Sequence, residues 1–357
     1  MEETTTQETS AVSATLYDPE HLRQPQTVTL VGAFPHQVAG HGAILKAKGH
    51  KICKPLSPRE AWFYQTLNKR QPSSSSSSSS NTSASSFSPL LRFIPAWYGA
   101  FEISAAQLKR LVVEEERRRH SAQQHQGEER EGEGGLEVQT WDRKVYHQLE
   151  EQIEREVISS PKHTHSYIVM ENLTAHYKHP CLIDIKMGTK TWDDESPEHK
   201  RLIAMEKAAK TTTCSLGLRL CGMQVWQTQE KVLRKISKSE GLDLTPETIG
   251  AHLSKFFHNG ERLRTDVISA FTKEVEALLH TLETCPPHHR FNIYSSSLLF
   301  VYEGEERQEE EEDQPPKVTM KMIDFVHAFR INDEKPNDDG YVFGLRNLLQ
   351  LLQQQLL

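Results

Sequence analysis

Ser73–Ser80 is an unbroken run of eight serines, and the chain stays polar to about Ser88. Such a tract has too little apolar surface to offset the entropy of ordering it, so it cannot belong to a packed core. Two further stretches carry the same limit. One runs from about Glu114 to Gly135, where Glu114–Arg119 can be a charged helix end and GEEREGEGG is a linker. The other is Glu305–Asp313, EERQEEEED, followed by Pro315 and Pro316. This acidic run reads as a solvated loop, with docking of a basic partner as the sharper alternative. The fold must therefore be assembled from the segments between these insertions, expected near 71–88, 114–135 and 303–316.

A chain of 357 residues allows two domains or one large one. Its apolar fraction of 36% supports a sizeable core with some length left unstructured. The formal charge of −7 excludes a uniformly basic nucleic-acid binder but not a local basic patch. No apolar run approaches the roughly 18 residues of a membrane span. The start, MEETTTQETS, resembles neither a signal nor a transit peptide. Cys53, Cys181, Cys214, Cys221 and Cys285 form no CxxC, which favours a reducing compartment over a disulfide framework or a zinc site.

Between the insertions the patterning is regular. Trp141, Val145, Leu149, Ile153 and Val157 form an apolar stripe on one helix face, as do Leu263, Val267, Phe271, Val275 and Leu279. Thr245-Pro246-Glu247 predicts a helix start, with a capping hydroxyl, then proline, then an acid. Its apolar face would be Ile249, Leu253 and Phe256 or Phe257, and Val342–Leu356 predicts a final leucine-rich helix. Tyr167–Met170 and Cys181–Met187 read as strands. Phe291–Tyr302 and Val318–Val326 read as a hairpin with the acidic run as its enlarged turn. Helices and strands mix without strict alternation, which predicts an α+β fold.

Several charges sit in these apolar runs. Asp184 and Lys186 are two apart and share one strand face, with Ile183, Ile185 and Met187 on the other. They form either an ion pair on a half-exposed strand or part of a reaction site. Gly188, ending the strand, permits close approach of backbone or ligand. Asp324 interrupts Met322-Ile-Asp324-Phe-Val-His327 and needs a partner, which is a lysine or backbone donor, or else a metal ion bridging phosphates. Lys54, with Glu60 soon after on a helix, matches the ion pair that kinases use to hold nucleotide phosphates. Lys190, Lys200, Arg201, Lys207 and Lys210 are a solvated basic face or a cradle for several phosphates.

Together these residues resemble the inositol polyphosphate kinase family. Its P-x-x-x-D-x-K-x-G signature is matched by Pro180, Asp184, Lys186 and Gly188, its S-S-L-L block by Ser296–Leu299, and its I-D-F block by Ile323–Phe325. His36–His41, Phe256–Gly260 and Asp339–Gly344 resemble blocks of the multikinase branch, and Thr211–Gly217 its fungal and plant members. The likeness spans about residues 30 to 355, interrupted by the insertions.

The resemblance implies a two-lobed, protein-kinase-like α+β fold with ATP between the lobes. Residues 1–29 would be a disordered tail, 30–170 the N-lobe and 171–357 the C-lobe, which would carry the inositol-phosphate-binding helices. Met170–Leu173 would connect the lobes, with the backbone at Glu171 and Leu173 meeting adenine. Lys54 would hold phosphates and Glu60 would orient Lys54. Asp184 would lie near the ribose or the reacting hydroxyl, and Lys186 at the hydroxyl or the transferring phosphoryl group. Asp324 would bind Mg²⁺. Lys200, Lys207, Lys210 and His327 would contact substrate.

The implied activity is ATP-dependent phosphorylation of inositol 1,4,5-trisphosphate and its tetrakisphosphate product at the 3- and 6-hydroxyls, towards the pentakisphosphate. The alternatives are an inositol hexakisphosphate kinase, or a scaffold or transcription cofactor acting through the acidic and serine tracts. Inositol polyphosphates are the expected partners. Phosphoinositide headgroups, and proteins docking on those tracts, are further candidates. No direct nucleic-acid contact, a monomer, and a nuclear and cytoplasmic location are expected.

Overall fold

The computed structural model describes residues 12–15, 27–38, 43–68, 88–111, 113, 164–193, 195–284, 291–305, 314–331 and 338–357. The serine run, the 114–135 stretch, the Trp141–Val157 stripe, Cys285 and the acidic residues 306–313 lie outside them. The chain forms two units, Met1–Leu56 with Ala96–Asn172 and Ser57–Pro95 with Leu173–Leu357.

The first unit is an antiparallel sheet of β1 (Val12–Thr15), β2 (Thr27–Ala33), β3 (Leu45–Ala47), β4 (Lys51–Pro55), β5 (Trp97–Ser104) and β6 (Thr164–Glu171), in the order β1-β2-β3-β4-β6-β5. Strand alternation divides its side chains between two faces. Leu30, Leu45, Cys53, Phe101 and Val169 pack with Leu108 and Leu111 of the helix at 105–111. Ile52 and Lys54 flank Cys53, so they lie on the opposite face.

The second unit contains β7 (Pro180–Met187), β8 (Leu218–Gln227), β9 (Val232–Ile236), β11 (Ser297–Glu303) and β12 (Val318–Ile323), ordered β12-β11-β7-β8-β9. β10 (Phe291–Tyr294) pairs separately with β13 (His327–Arg330). Helices Ile249–Phe257, Thr265–Thr284 and Gly340–Gln354 supply much of the remaining core. Phe271 stacks on Phe300 at 4.3 Å, and Tyr302 Oη donates to the Phe256 carbonyl at 2.6 Å. Gly344 lies so close to Gly217 that a Cβ there would meet the Gly217 carbonyl oxygen at 2.0 Å.

Helix Pro58–Asn68, expected in the first lobe, belongs to the second unit. Its aromatic face decides this: Phe63 stacks on Phe325 at 4.3 Å, and Tyr64 meets the same ring edge-on at 5.5 Å. Local boundaries differ too. Thr245's carbonyl accepts from the Thr248 and Ile249 N–H groups, and Thr248 Oγ1 accepts from Thr245 N–H, one half of a capping box. Regular helix begins only at Ile249. Leu263 bridges His258 ahead of its expected helix. The Phe291–Tyr302 run divides at Ser295, where φ is +52°, and Val318–Val326 ends as a strand at Ile323 because Asp324 has φ of +65°. The hairpin across the acidic run is present, with Ser297–Tyr302 paired antiparallel to Val318–Ile323.

Candidate functional site

β7 is hydrogen-bonded on both sides, by β11 and by β8. Its two charges therefore lie on a central strand and not on a half-exposed edge. Asp184 is 5% exposed, and among the described residues its Oδ1 has no hydrogen-bond partner. Burial raises its pKa; the Lys186 charge opposes this and the Asp324 charge adds to it. Lys186 Nζ donates to the Ser295 carbonyl at 2.7 Å and to Ser295 Oγ at 3.1 Å.

Asp324 follows β12 in the left-handed region, which aspartate tolerates better than most residues. The turn is anchored at the next residue. The Phe325 N–H donates to Glu60 Oε1 at 3.2 Å, Glu60 is fully buried, and the Phe325 ring stacks on Phe63. Helix Pro58–Asn68 thus anchors the turn that carries Asp324. Two neighbouring carboxylates, one with a buried oxygen that has no hydrogen-bond partner among the described residues, are the donor type a hard divalent cation would take. Among the described residues there is no cluster of three or more histidine, cysteine, aspartate or glutamate ligands.

The basic residues separate. Lys207 is held below the usual ammonium range by burial, then by the charges of Arg219 and Lys238 and, more weakly, Lys186. Arg219 pairs across the sheet with Lys186, is 5% exposed, and has its Nε buried without a partner among the described residues. Lys186, Lys207, Arg219 and Lys238 thus form one cationic group. Lys200 is exposed, Lys210 is exposed and paired with Glu206 at 2.6 Å, and Lys190 lies 4.6 Å above the Tyr294 ring. Sequence reasoning missed Arg219 and Lys238. Arg219 carried the signal that singled out Lys186, a charge inside an apolar strand; Lys238, in a loop, carried none.

A pocket of about 600 Å³ within the second unit is lined by Arg59, Trp62, Asp193, Glu195, Val326 and His327 among others. His327 Nδ1 hydrogen-bonds the buried Asp193 carboxylate. In the first unit, Lys54 is half-buried on β4 opposite Ile168. Glu171 accepts the Ala96 N–H through its carboxylate at 3.1 Å and donates its own N–H to the Ala96 carbonyl at 2.9 Å. Leu173 is half-buried at the first position of the second unit's longer segment.

Asp184 and Asp324, with Lys186, Lys207, Lys238 and the buried Arg219, are the acids and cations that phosphoryl transfer calls for, carried on an α+β fold. The family model for inositol polyphosphate kinase matches residues 167–353. The chain is 29% identical to mouse inositol hexakisphosphate kinase 3, over 90% of this chain and 93% of that one. It is 28% identical to human inositol hexakisphosphate kinase 2, over 91% and 94%. The crystal structure of inositol phosphate multikinase Ipk2 from S. cerevisiae, in complex with ADP and Mn²⁺, has the same fold, with a TM-score of 0.56 and 20% identity over 87% of this chain and all of that one. The chain belongs to the inositol polyphosphate kinase family and is an inositol phosphate kinase.

Proposed function

We propose that this chain transfers the γ-phosphoryl group of ATP to inositol hexakisphosphate, with Mg²⁺ as the metal. The observation that carries the choice of acceptor is the similarity to hexakisphosphate kinases along nine-tenths of the chain. An acceptor phosphate oxygen attacks the γ-phosphorus, the bond to the ADP oxygen breaks, and a pyrophosphate forms.

Asp324 and Asp184 would hold the metal, and Lys54 the nucleotide phosphates. Bound Mg²⁺ would neutralise charge on the phosphoryl oxygens. Lys186, tethered by Ser295, is preorganised for the transferring group, so little reorganisation is needed at the moment of reaction. Lys207, Arg219 and Lys238 offer charge for the other phosphates of a polyanion, which an acidic protein must gather locally. The second reading is multikinase activity on the 3- and 6-hydroxyls of inositol 1,4,5-trisphosphate and its tetrakisphosphate. The sequence blocks shared with the multikinase branch favour it.

The test is ³¹P NMR after incubation with ATP, Mg²⁺ and each inositol phosphate in turn. Pyrophosphate signals from the hexakisphosphate support the first reading. Monoester products from the trisphosphate, with the hexakisphosphate untouched, replace it with the second.

A further inference from the structure

We propose that Asp193 is a positioning residue for His327, fixing the ring so that Nε2 faces the pocket that takes the acceptor's phosphate groups. The identity of the acceptor rests on the function proposed above; the geometry of the pair does not.

His327 opens β13, with its backbone paired to Tyr294, and one third of its side chain is exposed. Asp193 comes from the stretch between β7 and helix Glu198–Ala209, and the two meet as a hydrogen-bonded pair in the wall of the pocket. Asp193 is 5% exposed, and its second oxygen accepts from Ser196 Oγ at 3.0 Å. Although burial works against it, the hydrogen bonds from His327 and Ser196 keep Asp193 in the ionised range. An ionised carboxylate only accepts, so Nδ1 must carry the hydrogen. Nε2 is then left to the pocket, as a lone pair in the neutral ring and as an N–H donor in the charged one.

The same pocket repeats the pattern with a cation. Arg59 lies 4.0 Å above the Phe329 ring and pairs with Glu195. The pocket therefore presents two nitrogen groups, each held from behind by a carboxylate and each able to turn to a phosphate oxygen. Without Asp193 the imidazole is free to rotate and to exchange tautomers, and both its direction and its donor pattern are lost.

The first test uses the wild-type protein. Long-range ¹H–¹⁵N correlation of histidine-labelled protein, with the His327 signal assigned by its loss in His327→Ala, is expected to show the Nδ1–H tautomer. The Nε2–H tautomer, or fast exchange between the two, overturns the proposal. The second test is a double-mutant cycle on kcat/KM, run with whichever inositol phosphate the protein turns over. Asp193→Asn should lower kcat/KM by about tenfold, the scale of one hydrogen bond to a charged group, but by less than about twofold when His327→Ala is already present. Equal losses in both backgrounds would show that Asp193 is only structural, and would overturn it. Ser196→Ala, which loosens Asp193 without removing it, gives the same comparison should Asp193→Asn not fold.

Discussion

Replacing Asp324 separates its charge from its backbone conformation. With φ at +65°, a residue carrying an ordinary Cβ pays about 1–2 kcal/mol, which asparagine, like aspartate, partly escapes. Asp324→Asn therefore loses the charge and keeps the backbone; Asp324→Ala loses both. The Asp324 charge also raises the pKa of buried Asp184, so its removal relieves a repulsion in the nucleotide-free protein. Asp324→Asn should consequently melt at or above the wild-type temperature. Asp324→Ala should melt below Asp324→Asn by about 1–2 kcal/mol, or roughly 2–8 °C for a unit of this size. Turnover should fall in both by at least about a hundredfold, the scale for loss of a preorganised electrostatic contact, with only partial recovery at raised Mg²⁺. The assay is thermal melting without nucleotide beside ADP release by the same preparations. Near-normal turnover of Asp324→Asn would refute the metal role, and equal melting of the two variants would refute the conformational argument.

Lys186→Ala should lower kcat by at least about two orders of magnitude with little change in ATP affinity; turnover close to wild type in the folded variant would remove Lys186 from the reaction. Because Asp184 binds its proton more tightly folded than unfolded, its contribution to stability falls as pH rises above about 4 and on through its folded pKa. Asp184→Asn should therefore gain stability relative to wild type on going from acid to neutral pH, and urea midpoints showing a constant difference would contradict this. Gly344→Ala should cost about 3 kcal/mol, the upper end for overpacking, since both partners in the clash are backbone; an unchanged urea midpoint would count against that packing. Iodoacetamide should label exposed Cys214 and spare native Cys53, which burial pushes up to about 12, with peptide mass spectrometry as the readout and rapid Cys53 labelling as the contrary result.

Much of the second unit was legible in one dimension. Alternation across Cys181–Met187 put Asp184 and Lys186 on one strand face, and Val267, Phe271 and Val275, spaced every four residues, lie on the buried side of helix Thr265–Thr284. The paired runs on either side of the acidic stretch do form a hairpin. These features depend on neighbours a few residues apart, and the burial of one face leaves its period in the sequence. The two left-handed residues left no such period. Ser295 and Asp324 sit inside β-rich runs, and the contact that holds the residue after Asp324 is a distant one, Glu60 receiving the Phe325 N–H.

The composition of the site was decided in three dimensions. Lys207 lies in the last turn of helix Glu198–Ala209 and Lys210 caps it, yet Lys207 meets the Arg219 and Lys238 charges while Lys210 turns to Glu206. Arg219 meets Lys186 through the register of β8 on β7, which shifts between Asp184 and Ile185. Asp193 and His327 are hydrogen-bonded across 134 residues of sequence. Helix Pro58–Asn68 joined the second unit because Phe63 and Tyr64 pack on Phe325, although its position in the chain placed it with the first. Sequence patterning records how much of each residue is buried; it does not record against what. Strand register and long-range aromatic packing choose the partner, and so they alone determine which charges share a site.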